Sequence, residues 1–160
     1  MIKQIHDYFS QFEQKKKNYL FAQSFEELRD RLNRIAGSFL FVDYGEITFQ
    51  GNNIRSLQGT MRLAVTYAEK LSPSTLDDAR IDSAQNTLDR IAAIYSQLAT
   101  DVDTSDRFPY ADRQGILSAE IVPFVASELN AYGWTLLLDC TSPDPLNIRP
   151  ANSRLPLPQK

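Results

Sequence analysis

The first apolar stripe along the chain is Ile2, Ile5, Phe9 and Phe12, at steps of three, four and three, which predicts an amphipathic helix over residues 1 to about 17. Residues 18–23 (NYLFAQ) are too few and too evenly apolar to show a period, so they form either a connector or a short strand. A second helix begins at Ser24, whose side-chain oxygen can accept an orphan backbone N–H while Glu27 reaches back, the reciprocal arrangement of a capping box. Its stripe is Phe25, Leu28, Leu32 and Ile35. Arg34 lies near the negative end of the helix dipole, and Gly37 suits the left-handed C-terminal position.

Residues 38–50 (SFLFVDYGEITFQ) are rich in aromatic and β-branched side chains and lack proline, so they read as a strand, bent or broken into a hairpin at Tyr44-Gly45. Gly51, Asn52 and Asn53 read as a turn. From residue 57 to 69 the period is two, with Met61, Leu63, Val65 and Tyr67 on one face. Pro73 stops that strand. Ser74 or Thr75 caps a long helix with Asp77 and Asp78 in its first turn, and its stripe is Ile81, Ala84, Leu88, Ile91, Tyr95 and Leu98. That spacing also fits a heptad seam, but it is short, and a helix lying on a sheet is the preferred reading over a coiled coil.

Residues 100–115 are polar and read as a mobile surface loop. Residues 116–124 and 133–140 read as two more strands joined by a loop at 127–132, the second strand placing Trp134, Leu136, Leu138 and Cys140 on one face. Five of the eight prolines fall in the last twenty residues, which therefore read as an extended arm. The expected fold is α+β: one domain over residues 1–142, with N-terminal helices at about 1–37, a mainly antiparallel sheet of about four strands and the long helix packed on it. A Pro-rich extended arm follows at 143–160.

Composition narrows the function more than it identifies one. The 160 residues are 42% apolar, and with Lys plus Arg at 17 and Asp plus Glu at 20 the net charge is −3, so no bulk positive field is available to hold nucleic acid. Charge is uneven. Residues 1–37 hold seven basic and five acidic side chains, and residues 75–107 hold three basic and seven acidic, which solvated helix faces account for. No stretch has the run of apolar residues that a bilayer or a secretory leader requires, and the single cysteine suits a reducing compartment, so a cytoplasmic protein is expected.

Candidate chemistry is sparse. His6 and Asp7 are neighbours on a helix, pointing about 100° apart, and are not expected to form an oriented acid–base pair. Cys140 ends an apolar run and reads as a buried packing thiol. Asp77, Asp78 and Asp82, followed by Asp101, Asp103 and Asp106, lack the glycine and bidentate glutamate of a calcium loop, and read as helix-capping and solvated residues. Lys15, Lys16 and Lys17 are the one basic run. Gly45, Gly51 and Gly59 do not have phosphate-loop spacing. No catalytic residue, cofactor, metal or small-molecule substrate is expected. The aromatic load is large for one small core, and Phe49, Phe108, Tyr110 and Trp134 are expected at an oligomer or docking interface.

Three stretches, SFLFVDYGEITF, then LQGTMRLAVTYAEK running through a proline into STLDDARIDSAQNTLDRIAAIYSQL, and AEIVPFVASELNAYGWTLLLDC, resemble small phage and prophage tail-completion or tail-terminator proteins over about residues 38–142. The resemblance implies helices on a mainly antiparallel sheet and a non-catalytic structural subunit. It would act by ring-like self-assembly at a tail or neck junction, with tail or connector proteins as partners, in the host cytoplasm during assembly and then in the virion. The alternative is a stand-alone interaction module, an adaptor or inhibitor binding through an exposed strand edge.

Overall fold

The computed structural model describes residues 1–23, 25–51, 58–104, 107–111 and 113–141. The expectations placed on Ser24, on the side chains of Phe25, Glu27 and Leu28, on Asn52 and Asn53, and on the arm at 143–160 lie outside the described residues. The elements are α1 (Ile2–Ser10), β1 (Tyr19–Ala22), α2 (Phe25–Leu32), β2 (Ser38–Gln50), β3 (Gln58–Lys70), α3 (Asp77–Thr104), α4 (Arg113–Leu117), β4 (Glu120–Ala126) and β5 (Ala131–Thr141). The fold is α+β. Five strands make one mixed sheet in the order β1-β2-β3-β5-β4, with β1 parallel to β2 and every other pair antiparallel. The strand beyond the four expected is the NYLFAQ segment, whose parallel pairing is made possible by the return of the chain through α2.

One face of the sheet carries the larger core. Leu40 and Val42 of β2, Met61, Leu63 and Val65 of β3, and Leu136, Leu138 and Cys140 of β5 pack under Ile5, Tyr8 and Phe9 of α1 and Ile91, Ile94 and Leu98 of α3. The opposite face is covered near β1, where Leu32 and Ile35 sit over Leu20, Ala22, Phe39, Phe41 and Ala68. Lys70 Nζ donates to the Leu32 carbonyl oxygen, joining the end of α2 to β3.

Helix α1 ends at Ser10, short of residue 17, because Phe12 N–H bonds back to the Phe9 carbonyl in a tightened turn. The buried Asn18 side chain then donates to the Ser38 carbonyl and steers the chain into β1. Gly37 does adopt a left-handed φ of 78°, but five residues after α2 ends, where it turns the chain into β2. Segment 38–50 is one continuous strand, and the irregularity expected at Tyr44-Gly45 is a bulge, with register shifting between Tyr44 and Ile47.

Helix α3 lies on the sheet, but its inward stripe is Ser83, Thr87, Ile91, Ile94, Leu98 and Asp101. The expected Ile81 is 66% exposed and Ala84 also faces out. The correction has a packing cause. The Trp134 indole occupies space under the first turns and donates to the Ala84 carbonyl at 3.0 Å, so small Ser83 and Thr87 take the inward positions, with Ser83 Oγ bonding Glu69 Oε2. The surface loop expected at 100–115 is also corrected. Helix α3 continues to Thr104, Phe108 and Tyr110 plug into the core, and α4 spans the junction of the expected loop and the expected next strand. The loop expected at 127–132 is shorter, a single 3-10 turn closed by Asn130 in left-handed geometry, with β5 already begun at Ala131.

Gly133 of β5 pairs with Ala68 of β3. A Cβ there would stand 2.2 Å from the Tyr67 carbonyl oxygen and 2.5 Å from Ala68 Cα, both backbone atoms that cannot rotate away. At Gly45 the nearest atom to such a Cβ is the Arg62 carbonyl oxygen at 3.2 Å. Gly133→Ala is therefore expected to destabilise the domain by about 1–3 kcal/mol or more, and Gly45→Ala by much less, in urea unfolding followed by circular dichroism.

Candidate functional site

His6 and Asp7 do meet, contrary to expectation: His6 Nδ1 lies 3.0 Å from Asp7 Oδ1. Both side chains stand at the surface, where rotation closes the angle between their Cα–Cβ bonds, and Lys3 holds the other carboxylate oxygen at 2.5 Å from one turn earlier. Lys3 first, then His6, keep the Asp7 carboxyl below its ordinary range. The His6 ring packs edge-on against Tyr19 and Phe21, with centroids 5.4 and 5.2 Å away. The Tyr19 hydroxyl, its ionisation suppressed by burial, donates to the His6 backbone carbonyl and not to the ring. These contacts fasten β1 to α1.

Cys140 is fully buried, as its apolar setting predicts, and burial together with the nearby Asp139 pushes its thiol up to about 12. It is a packing residue. Asp101, read as a solvated loop residue, is buried on α3 and accepts from the Tyr8 hydroxyl at 2.9 Å and from Gln97 Nε2 at 3.1 Å. Burial and this carboxylate both raise the Tyr8 pKa. Among the described residues, no group of three or more His, Cys, Asp or Glu is placed to hold a metal ion, and no helix is long and apolar enough to cross a membrane.

The four aromatic residues expected at an interface separate into three environments. Phe49 is 55% exposed near the end of β2. Phe108 is only 1% exposed and Tyr110 is buried, so neither is a surface residue. The Phe108 ring fills the space between Tyr8 at 4.6 Å and Phe9 at 5.7 Å, and it was the polar letters around it that suggested a loop. Trp134 is half-buried beneath α3, with its indole N–H already used.

Two surfaces lie beyond what the sequence indicated. One is a groove of about 350 Å³ between α3 and α4, floored by Tyr95, Ala99, Val102, Ala111 and Ile116, with Asp103 and Arg113 in its lining and Leu117 70% exposed. The Tyr95 hydroxyl holds the groove's two walls together through the Ile116 carbonyl, at 3.1 Å. The other is an open concavity of about 680 Å³ on the second sheet face, lined in part by Asp43, Glu46, Arg62 and Asp139. There Asp43 Oδ1 is closed off from water without a hydrogen-bond partner among the described residues, and burial raises the pKa of its carboxyl. Alternation identifies which residues share these faces but not which parts of a face remain uncovered. No family model, curated protein or solved structure matches the chain.

Two outcomes follow from the buried groups. Tyr8→Phe is expected to cost about 1–3 kcal/mol in urea unfolding, because it removes a buried, charge-assisted hydrogen bond between α1 and α3. The Cys140 thiol, neutral until pH nears about 12, should fail to react with an aromatic disulfide reagent between neutral and mildly alkaline pH in the native chain, and react readily once the chain is unfolded.

Proposed function

We propose that this chain is a non-catalytic structural subunit that self-assembles into a closed ring at a tail or neck junction of a phage or prophage particle. The observation that carries the reading is the outer end of the β2–β3 hairpin. Every residue of β2 from Gly45 to Gln50 is exposed, and these include Ile47 at 36% and Phe49 at 55%. Large apolar side chains held on a paired, regular strand are costly to leave in water and are common at association surfaces.

A closed ring needs a heterologous contact, one patch meeting a different patch on the next copy. The hairpin end supplies one candidate, and the apolar groove between α3 and α4 supplies a second of a different shape. Tail or connector proteins are the partners this reading requires, with assembly in the host cytoplasm and residence afterwards in the virion. Strand addition by an interaction module is less well served, because β1 has four residues and β4 carries Pro123, which cannot donate to a ladder.

Light scattering on the purified full chain over a range of concentrations tests the reading, together with electron microscopy of the chain mixed with tail tubes. The native chain is expected to reach a fixed multiple of its monomer mass and to cap tube ends. Phe49→Ser removes about 1.5–3 kcal/mol of apolar burial per contact and should weaken association by roughly ten- to a hundredfold while leaving the fold intact. A native chain that stays monomeric at all concentrations and ignores tubes would overturn the reading.

A further inference from the structure

Two surfaces of opposite charge lie at one end of the sheet. Lys17, Arg31 and Arg34 line a concavity of about 460 Å³ beside the start of β1, over an apolar floor of Leu20 and Ile35 and with no acidic side chain in the lining. The first turns of α3 form the other surface. Leu76 is 78% exposed and Ile81 66%, and Asp77, Asp78 and Asp82, all exposed, lie within one helical turn of Ile81. Arg80, the cation among them, is turned to its own chain: its Nε donates to the Thr75 carbonyl oxygen at 3.2 Å and its guanidinium lies over the Tyr132 ring. Neither the three cations of the concavity nor the three aspartates are in an ion pair among the described residues. Helix capping and solvation account for the aspartates, but not for the two large apolar side chains held among them.

We propose that the first turns of α3 in one copy of this chain seat in the basic concavity of the next copy, with Ile81 on the apolar floor and the aspartates against Lys17, Arg31 and Arg34. This contact rests on the head-to-tail self-assembly proposed above and supplies its charged part. Charge and apolar character both match across it. A single chain cannot make the contact with itself. Asn18 beside the concavity bonds the Ser38 carbonyl, Ser38 pairs with Glu69, and Glu69 accepts from Ser83 of α3, so the two surfaces share one end of the sheet. Yet β2 and β3 stand between β1 and β5, a separation of three strand spacings or about 14 Å. Leu20 and Ile35 also belong to the second face, whereas α3 covers the first. Two unlike surfaces on opposite sides of a molecule repeat from copy to copy, while a like patch meeting itself about a two-fold axis stops at a dimer. The outer part of β2 lies on the concavity's side of the sheet order and the α3–α4 groove lies over β5, so the hairpin and groove can meet in the same contact.

Sedimentation velocity on the full chain tests this contact, with circular dichroism confirming that each variant folds. Arg31→Glu combined with Arg34→Glu, and separately Asp78→Lys combined with Asp82→Lys, set like charges against each other and are expected to weaken association by roughly tenfold or more. One chain carrying all four substitutions again has opposite charges across the contact and should regain the native assembly, which a merely structural role for these side chains would not produce. Ile81→Ser, which changes no charge, should weaken association as well. If the lysine variants do not fold, Ile81→Ser and the two arginine substitutions decide the matter between them. Charge reversals that leave association unchanged, or a folded chain with all four substitutions that stays dissociated, overturn the contact, and the ring then stands on the hairpin and groove alone. A native chain that is monomeric at every concentration leaves the concavity to a different acidic partner and overturns contact and ring together. Assembly that obeys the charge reversals but never reaches a fixed size or caps tail tubes supports the contact and overturns the ring at a tail junction.

Discussion

The structure depends on how closely β5 can approach β3. These two strands share eleven paired positions along the middle of the sheet, and Gly133 is the position at which backbone meets backbone with no room for a methyl group. Because they pair along that whole length, Leu136, Leu138 and Cys140 align with Val65, Leu63 and Met61 as one apolar surface. That surface is broad enough to seat a 28-residue helix and α1 side by side. The cover is unequal. Helices α1 and α3 and the plug around Phe108 close one face, while the eight-residue α2 closes only the β1 side of the other.

The parts legible in the sequence were those with a simple period. The alternation from Met61 to Tyr67, the Trp134 to Cys140 face and the amphipathic helix before residue 100 all follow from one residue type repeating at a fixed step, and each has the expected secondary structure. What escaped was set by partners distant in the chain. The inward stripe of α3 begins at Ser83 and not Ile81 because Trp134, fifty residues away from Ala84, fills the space beneath the first turns. The segment around Phe108 reads as a loop from its polar letters, yet two of its aromatic side chains complete the α1 core. Asp101 looks solvated until the Tyr8 hydroxyl, 93 positions earlier, is seen to meet it. Of the candidate site, Phe49 was legible as an exposed aromatic, whereas the α3–α4 groove and the open sheet face depend on which elements stop short, and no local pattern encodes that.

The displaced protonation states follow the same logic. Tyr8, Tyr19 and Cys140 are each shifted mainly by removal from water, and each is accounted for by a hydrogen bond that joins two elements or by an apolar surrounding. Tyr8 joins α1 to α3, Tyr19 joins β1 to α1, and Cys140 fills the floor beneath them. Perturbation caused by burial alone is a property of a packed core. It points to chemistry only where several such groups face one cleft. Asp43 is the different case, since burial raises its pKa while one carboxylate oxygen is closed off from water without a hydrogen-bond partner among the described residues, beside the open face that Glu46, Arg62 and Asp139 also line.

The bulge in β2 gives the hairpin its character. Along a regular strand, the face that holds Leu40, Val42 and Tyr44 would next present residues 46 and 48, a glutamate and a threonine. The register shift between Tyr44 and Ile47 inserts one extra position, so Ile47 comes opposite Met61 and Phe49 opposite Gly59, on the side of the sheet that forms the main core. Apolar character is thus carried out to Ile47 and Phe49, both exposed, while Glu46, Thr48 and Gln50 are turned to the charged concavity on the other side. A hairpin that served only to join two strands would need no such correction, and leaving the apolar residues to solvent carries a solubility cost. The bulge is explained if the apolar face continues because something packs against its outer end, and a second copy of the chain is the partner that a ring would supply.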